Sequence, residues 1–260
     1  MSTSEARFDA AGPLAFLTFS RPQARNALTW SMYDALVDAC DRVDADDTVR
    51  VFVVRADGDA FAAGTDIRQF TGFATGEDGI AYERRLDAVI DRLERVSVPT
   101  IAQVHGVAAG GGCAIALTCD LRVCTPAATF GVPIARTLGN CLSAANLARL
   151  VDLIGPARTK DLLFTGRLID VAEAASLGLV TRIAEPDAID AAVRDLAGTI
   201  ASNAPLTIHA TKEVVRRIAR RRRLDPPDAD DIIAACYASQ DFREGVAAFL
   251  EKRRPRFTGR

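Results

Sequence analysis

Two short stretches of the chain combine glycine with small residues in a way that suits chemistry done by the backbone. Residues 104–120 read "VHGVAAGGGCAIALTCD" and residues 59–70 read "DAFAAGTDIRQF". Glycines at a tight strand-to-helix turn permit close backbone approach and leave N–H groups unpaired at a helix N-terminus, where partial positive charge collects. Taken alone, Gly110, Gly111 and Gly112 fit close helix packing as well as a site. If the two turns converge, they aim two main-chain donors at one carbonyl oxygen, the arrangement that stabilises an enolate or oxyanion as charge develops. Two phosphate-binding motifs do not match: no Lys-Ser/Thr pair follows the glycines, and "GVAAGGG" lacks the GxGxxG order.

Side chains that could move protons are fewer. Glu83 and Asp87, in "GEDGIAYERRLDAVIDRLE", stand four apart and share one helix face, with Tyr82 adjacent. Turned inward, Glu83 would be the general base, its pKa raised by burial. The more ordinary expectation is that both acids pair with Arg84, Arg85 or Arg92 on a wet surface. His105, at the end of an apolar strand, and Asp120, at the start of the next, read as structural. Asp66 reads as a helix N-cap.

The elements that must hold these residues alternate. "LAFLTFS" (14–20) and "VRVFVVRA" (49–56) have strand length and composition, and "TWSMYDALVDACDRVDAD" between them is helical with Thr29 as cap. Helix "GIAYERRLDAVIDRLERV", strand "PTIAQVHG", the glycine turn with its helix, and strand "DLRVCT" repeat the pattern, which indicates an α/β core. From Ser143 onward the segments read as helical apart from "GLVTRIA" (178–184). Residues 1–200 are expected to form the core and 201–260 a helical appendage, joined near Ala201 to Pro205.

Composition restricts the partners. With 49% hydrophobic residues, 25% charged and a net charge of -2 over 260 residues, the chain is an ordinary globular one. No basic-then-apolar leader and no uninterrupted membrane-length apolar run is present, so a cytoplasmic protein is expected. The six cysteines sit inside apolar patterns without CxxC spacing and read as buried free thiols; the two histidines lack a ligand set, and no metal is expected. "RRIARRRR" could attract phosphates, but no aromatic residues interleave it, so a solvated or intersubunit face is expected rather than nucleic-acid binding.

Taken in order, "RPQARNAL", "FAAGTDI", "HGVAAGGGCAIALTCDLRV", "FGVPIARTLG", "FTGRLIDVAEAASLGLV" and "SQDFREGVAAFLEKRRPRF" resemble the segments of the crotonase, or enoyl-CoA hydratase/isomerase, superfamily over nearly the whole chain. The resemblance implies a spiral of strand, strand, helix turns with a C-terminal helical region that trimerises, often into hexamers. It implies that the Thr65 and Gly111 N–H groups clasp an acyl-CoA thioester oxygen. Coenzyme A, entering as part of the substrate and not as a separate cofactor, would lie along Arg25, Ala27, Ala63, Asp66, Ile67 and Arg68, with Phe249 and Lys252 closing on its nucleotide end, from the same or a neighbouring subunit.

The chain departs from the family where proton transfer is concerned. Hydratases of this family use two glutamates, and the corresponding positions are Ala114 and Ile134, or Ala135 with a one-residue slip. Neither methyl nor sec-butyl transfers a proton, so two-carboxylate hydration lacks both participants. "IARTLGNCLS" offers Arg136, Thr137, Asn140, Cys141 and Ser143 where the family lines its acyl chamber; Arg136 could bind a substrate carboxylate or form a structural salt bridge. Cys141 lacks a base to make it a nucleophile. The expected function is an acyl-CoA enzyme, hydratase/isomerase-like but atypical, that stabilises a thioester enolate; a non-catalytic acyl-CoA sensor is the alternative.

Overall fold

Val51, Phe52, Val53 and Val54 are all fully buried, which a strand achieves when both its faces are covered. The computed structural model describes residues 5–260 and shows what covers them. Its strands are β1 (Ala6–Ala11), β2 (Leu14–Phe19), β3 (Val51–Ala56), β4 (Thr100–Val104), β5 (Val107–Ala109), β6 (Leu121–Cys124), β7 (Thr129–Gly131), β8 (Ile169–Asp170) and β9 (Arg182–Ile183). The helices are α1 (Trp30–Asp44), α2 (Gly76–Glu94), α3 (Gly111–Thr118), α4 (Ile134–Thr137), α5 (Ala144–Thr165), α6 (Val171–Ser176), α7 (Ile189–Ala201), α8 (Pro205–Arg220), α9 (Asp230–Tyr237) and α10 (Gln240–Leu250).

A six-stranded sheet runs in the order β1-β2-β3-β4-β6-β9, parallel except for the β1–β2 hairpin. Successive strand residues point to opposite faces. Phe16, Val51, Val53, Ile101 and Val123 therefore pack under Val193 and Leu196 of α7, while Leu17, Phe52, Val54 and Ala102 face the main core. A three-stranded sheet, β5-β7-β8, stands beside the first. The fold is thus α/β, as the alternating pattern requires.

The helix after Thr29 forms as expected, with the Thr29 hydroxyl accepting from Met32 N at 3.3 Å. Helix α2 starts earlier than its apolar period suggests, because Asp78 folds back to accept from the Thr75 and Ala74 N–H groups at 2.8 Å. Its apolar face, Ile80, Leu86, Val89, Ile90 and Leu93, is buried, each side chain contributing about 1.5–3 kcal/mol. Helix α9 lies directly on that helix: a Cβ added to Gly79 would come within 2.2 Å of the Tyr237 ring. Among the 201–260 elements, this contact and the Phe242–Phe70 ring pair tie α9 and α10 to the core. Strand β1 has no sequence signal, since "ARFDAA" is half exposed and pairs only along its edge with β2.

Candidate functional site

The segment before α1 holds the first small-residue turn in place. Asn26, at φ +52°, is buried, and its Nδ2 donates to the carbonyls of Asp57 and Ala60, both at 2.8 Å. Ala63 N donates to Arg25 O at 3.0 Å, Leu28 N to Gly64 O at 2.7 Å, and Asp66 N to Leu28 O at 2.9 Å. Because N–H groups alternate along an extended chain, these bonds leave the Thr65 N–H directed away from Leu28.

The second turn is locked against the first. Ala62 and Ala108 form a parallel bridge, with Ala62 N to Val107 O at 3.1 Å and Ala109 N to Ala62 O at 2.9 Å. A Cβ on Gly110 would stand 3.5 Å from Gly64 Cα, so the turns do converge. A Cβ on Gly111 would come within 2.2 Å of Tyr33 Oη, which excludes any side chain there without displacement. Among the described residues, neither the Thr65 nor the Gly111 N–H has a partner inside the chain. Both residues border one cavity of about 670 Å³.

Of the residues singled out by sequence, Thr65, Gly111, Glu83, Arg25, Ala27, Ala63, Asp66, Ile67, Arg68, Phe249 and Lys252 all border this cavity. Phe249 and Lys252 do so from the end of α10 of the same chain. Asp66 caps the short helical turn Ile67–Phe70, its side chain accepting from Arg68 N at 3.2 Å. The Arg68 guanidinium, with Arg21 at 2.9 Å on the other side, holds the Asp66 carboxyl down at about 2. Arg25, Arg68 and Lys252 place exposed cations around the mouth.

Arg136 is the exception. In the single turn of α4, Ile134, Thr137 and Leu138 share the face that borders the cavity, and a residue two positions on from Ile134 lies on the opposite side. Arg136 is accordingly exposed and packs its Cβ beside Gly166. It does not border the cavity.

Glu83 overturns the expectation of a wet surface pair. It is 2% exposed, on the same stripe of α2 as Ile80, Leu86 and Ile90. Oε1 accepts from Tyr237 Oη at 2.6 Å and Oε2 from Ser143 N at 3.0 Å. Burial outweighs both bonds and lifts its pKa to about 8. Asp87 is likewise raised by burial, and accepts from Ser143 Oγ at 2.6 Å and Asn146 Nδ2 at 3.1 Å. The arginines pair elsewhere: Arg84 with Asp230, Arg85 with Asp34, and Arg92 with Asp41 and Asp44.

A chain of hydroxyls runs beside Gly111, Tyr33 Oη to Thr65 Oγ1 and Thr65 Oγ1 to Tyr82 Oη, each at 2.8 Å. Phe70 meets the Tyr82 ring edge-on with centroids 4.9 Å apart, giving this end of the cavity an aromatic wall. Thr137 and Asn140 border the cavity from the segment after β7. Tyr33 and Tyr237 carry no sequence signal; each is an ordinary apolar-face residue of its helix.

The remaining polar residues fit structural roles. Cys40, Cys113, Cys119 and Cys124 are buried, and burial pushes each thiol up to about 12; Cys141 and Cys236 are only half-buried. Asp120 holds Thr100 at 2.7 Å and Lys212 at 2.7 Å. A groove of about 820 Å³ lies between α8 and the core, where arginines of the basic run pair with acids: Arg223 with Glu94 at 2.5 Å and Arg222 with Asp152 at 3.2 Å. No group of three or more metal-ligating side chains occurs among the described residues, and none of their helices is long and apolar enough to cross a membrane.

The chain matches the sequence model of the family described as Enoyl-CoA hydratase/isomerase over residues 9–260. It is 34% identical to a probable enoyl-CoA hydratase of Mycobacterium tuberculosis, covering 95% of each chain, and 34% identical to the crotonyl-CoA hydratase of Syntrophomonas wolfei, covering 94% of each. Among solved structures, methylmalonyl-CoA decarboxylase in complex with 2-nitronate-propionyl-CoA superposes with a TM-score of 0.90 at 26% identity, over 98% of this chain and 99% of that one. With the family pattern matched from β1 to the C-terminus, the chain belongs to the enoyl-CoA hydratase/isomerase, or crotonase, superfamily.

Proposed function

We propose that the protein processes an acyl-CoA thioester by holding the thioester oxygen between the Thr65 and Gly111 N–H groups and stabilising the enolate formed beside it. One observation carries this reading: the two N–H groups have no partner among the described residues, border one cavity, and belong to turns stapled to each other by the Ala62–Ala108 bridge. Donors fixed before charge appears need no reorganisation when it does. Family membership supplies the substrate class. The exposed cations Arg25, Arg68 and Lys252 suit the phosphates of coenzyme A, and Ala27, Ala63 and Ile67 its less polar arm.

Glu83, a buried carboxyl bordering the cavity, is the candidate for proton transfer, since Ala114 and Ile134 offer no titratable group. A carboxyl titrating at about 8 works as acid or base near neutral pH. The reading is tested with crotonyl-CoA and with butyryl-CoA in deuterated water. Deuterium enters Cα of butyryl-CoA, and Glu83→Gln slows this by about 100-fold or more. Hydration of crotonyl-CoA is slower than that by an authentic hydratase by at least about the same factor. Equal hydration rates would overturn the reading of Ala114 and Ile134. Tight binding without any turnover would favour an acyl-CoA sensor.

A second reading is favoured by the 0.90 superposition on methylmalonyl-CoA decarboxylase. Loss of CO₂ from a 2-carboxyacyl thioester leaves the bonding electron pair as a thioester enolate with no base required. Only a proton donor must follow, and Glu83 carries a proton at neutral pH. Release of CO₂ from malonyl-CoA or methylmalonyl-CoA separates this from plain α-proton exchange. The helical C-terminal region fits assembly as a trimer or a pair of trimers, since Leu206, Val214, Val215 and Ile218 of α8 are exposed.

A further inference from the structure

Tyr237 reaches Glu83 because α9 packs onto α2 at Gly79, and its ring is buried beside Phe73 and Phe242. Its Oη lies between two partners, Glu83 Oε1 at 2.6 Å and Asn140 Nδ2 at 3.1 Å. The other end of the Asn140 amide is unused: Oδ1 is buried and has no partner among the described residues. An amide is one of the few side chains able to offer the same neighbour a donor or an acceptor by turning over.

We propose that Asn140, Tyr237 and Glu83 form a reversible hydrogen-bond chain that holds the proton exchanged with the acyl group, with Tyr237 and Asn140 as positioning residues acting through Glu83. The inference rests on the acyl-CoA reading of the cavity. With Glu83 ionised, the Asn140 N–H donates to Tyr237 Oη and the tyrosine O–H donates to the carboxylate. When Glu83 takes a proton, the substrate C–H bond breaks, its electron pair moves to the thioester oxygen, and an O–H bond forms on Glu83. That O–H then donates to Tyr237 Oη. The tyrosine keeps its own hydrogen and directs it at Asn140, whose amide turns to present Oδ1. Without the spare acceptor, the buried tyrosine hydrogen would be left unpaired in one of the two states, at the cost of an unsatisfied polar group.

Several other groups face Glu83 and set the background against which the chain acts. Asp87 on α2 and Cys236 on α9 oppose its negative charge. The hydroxyls of Tyr82 on α2 and Tyr33 on α1, and the Cys141 thiol after α4, are near enough to feel it. Ser143 N, from the start of α5, favours the ionised form.

The test follows the Glu83 carboxyl directly, by carbon NMR of the full-length protein labelled at glutamate, with Glu83→Gln identifying the signal. Tyr237→Phe removes a bond to the ionised form, so the Glu83 titration moves upward by about one to two pH units. Asn140→Leu moves it in the same direction by less, and provides a second variant should the first fold poorly. The pH midpoint of α-proton exchange with butyryl-CoA shifts alongside. An unmoved Glu83 titration in both variants overturns the chain. A shifted titration in a protein that exchanges no acyl-CoA proton counts against the acyl-CoA reading and leaves the chain standing.

Discussion

Asn26 and Ala60 are 34 positions apart in sequence, yet Asn26 Nδ2 donates to the Ala60 carbonyl at 2.8 Å. The same side chain bonds Asp57 O at 2.8 Å and accepts from Arg21 N at 2.7 Å, so one residue ties the entry of α1 to the turn that carries Thr65. Asn26→Ala leaves three main-chain groups without this partner, two of them buried, and puts a Cβ-bearing residue without a local hydrogen bond at φ +52°. We expect a loss of about 3 kcal/mol in stability, read as a lower urea midpoint at an unchanged slope. Thioester turnover falls further than stability alone explains, because the Thr65 N–H loses its fixed direction. Retention of wild-type stability would show that the turn is held by other bonds.

Glu83 makes stability fall as pH rises. Its folded pKa of about 8 lies above the ordinary 4.5 of a free carboxyl, so the folded chain holds the proton more tightly than the unfolded one. The stability this contributes is complete below about 4.5, declines between 4.5 and 8, and is gone above 8. Glu83→Gln cannot ionise and escapes the decline. Relative to wild type, the variant is therefore better off at pH 9 than at pH 5, by on the order of a few kcal/mol. Thermal melting of both proteins across that range checks the sign; parallel pH curves would mean that Glu83 does not change its proton affinity on folding.

These residues differ in how far the sequence discloses them. The two turns are legible because glycine and alanine clustered at strand ends have few other uses, and Thr29 is legible because capping is a local matter. Arg136 lies off the cavity for a reason the sequence hides: α4 is one turn long, too short to show its phase, and the face bordering the cavity belongs to Ile134, Thr137 and Leu138. Glu83 misleads in the opposite sense. Arg84, Arg85 and Arg92 suggest a wet helix face, but helical spacing puts them around the side from Ile80, Glu83 and Leu86. The Tyr237–Glu83 bond spans 154 positions and depends on α9 docking at Gly79, which no local pattern announces.

Helix α8 carries the last prediction. It is 16 residues long and none of them is buried within the chain, although Val214, Val215 and Ile218 form an apolar stripe, 55%, 60% and 56% exposed. An amphipathic helix of that length gains its stability from a covered apolar face, and the single chain covers none of it fully. Of the arginines near its end, Arg216 and Arg217 pair with Glu213, Arg222 with Asp152 and Arg223 with Glu94 of the same chain, which lowers the charge repulsion that a second copy would meet at this face. The protein is expected to elute as a trimer or hexamer in light scattering. Val215→Asp with Ile218→Asp places two charges in the stripe and shifts the population towards monomer, while the monomer keeps the Tyr237–Glu83 contact, which neither substituted residue makes. A double variant that retained the full assembly would move the interface elsewhere on the molecule.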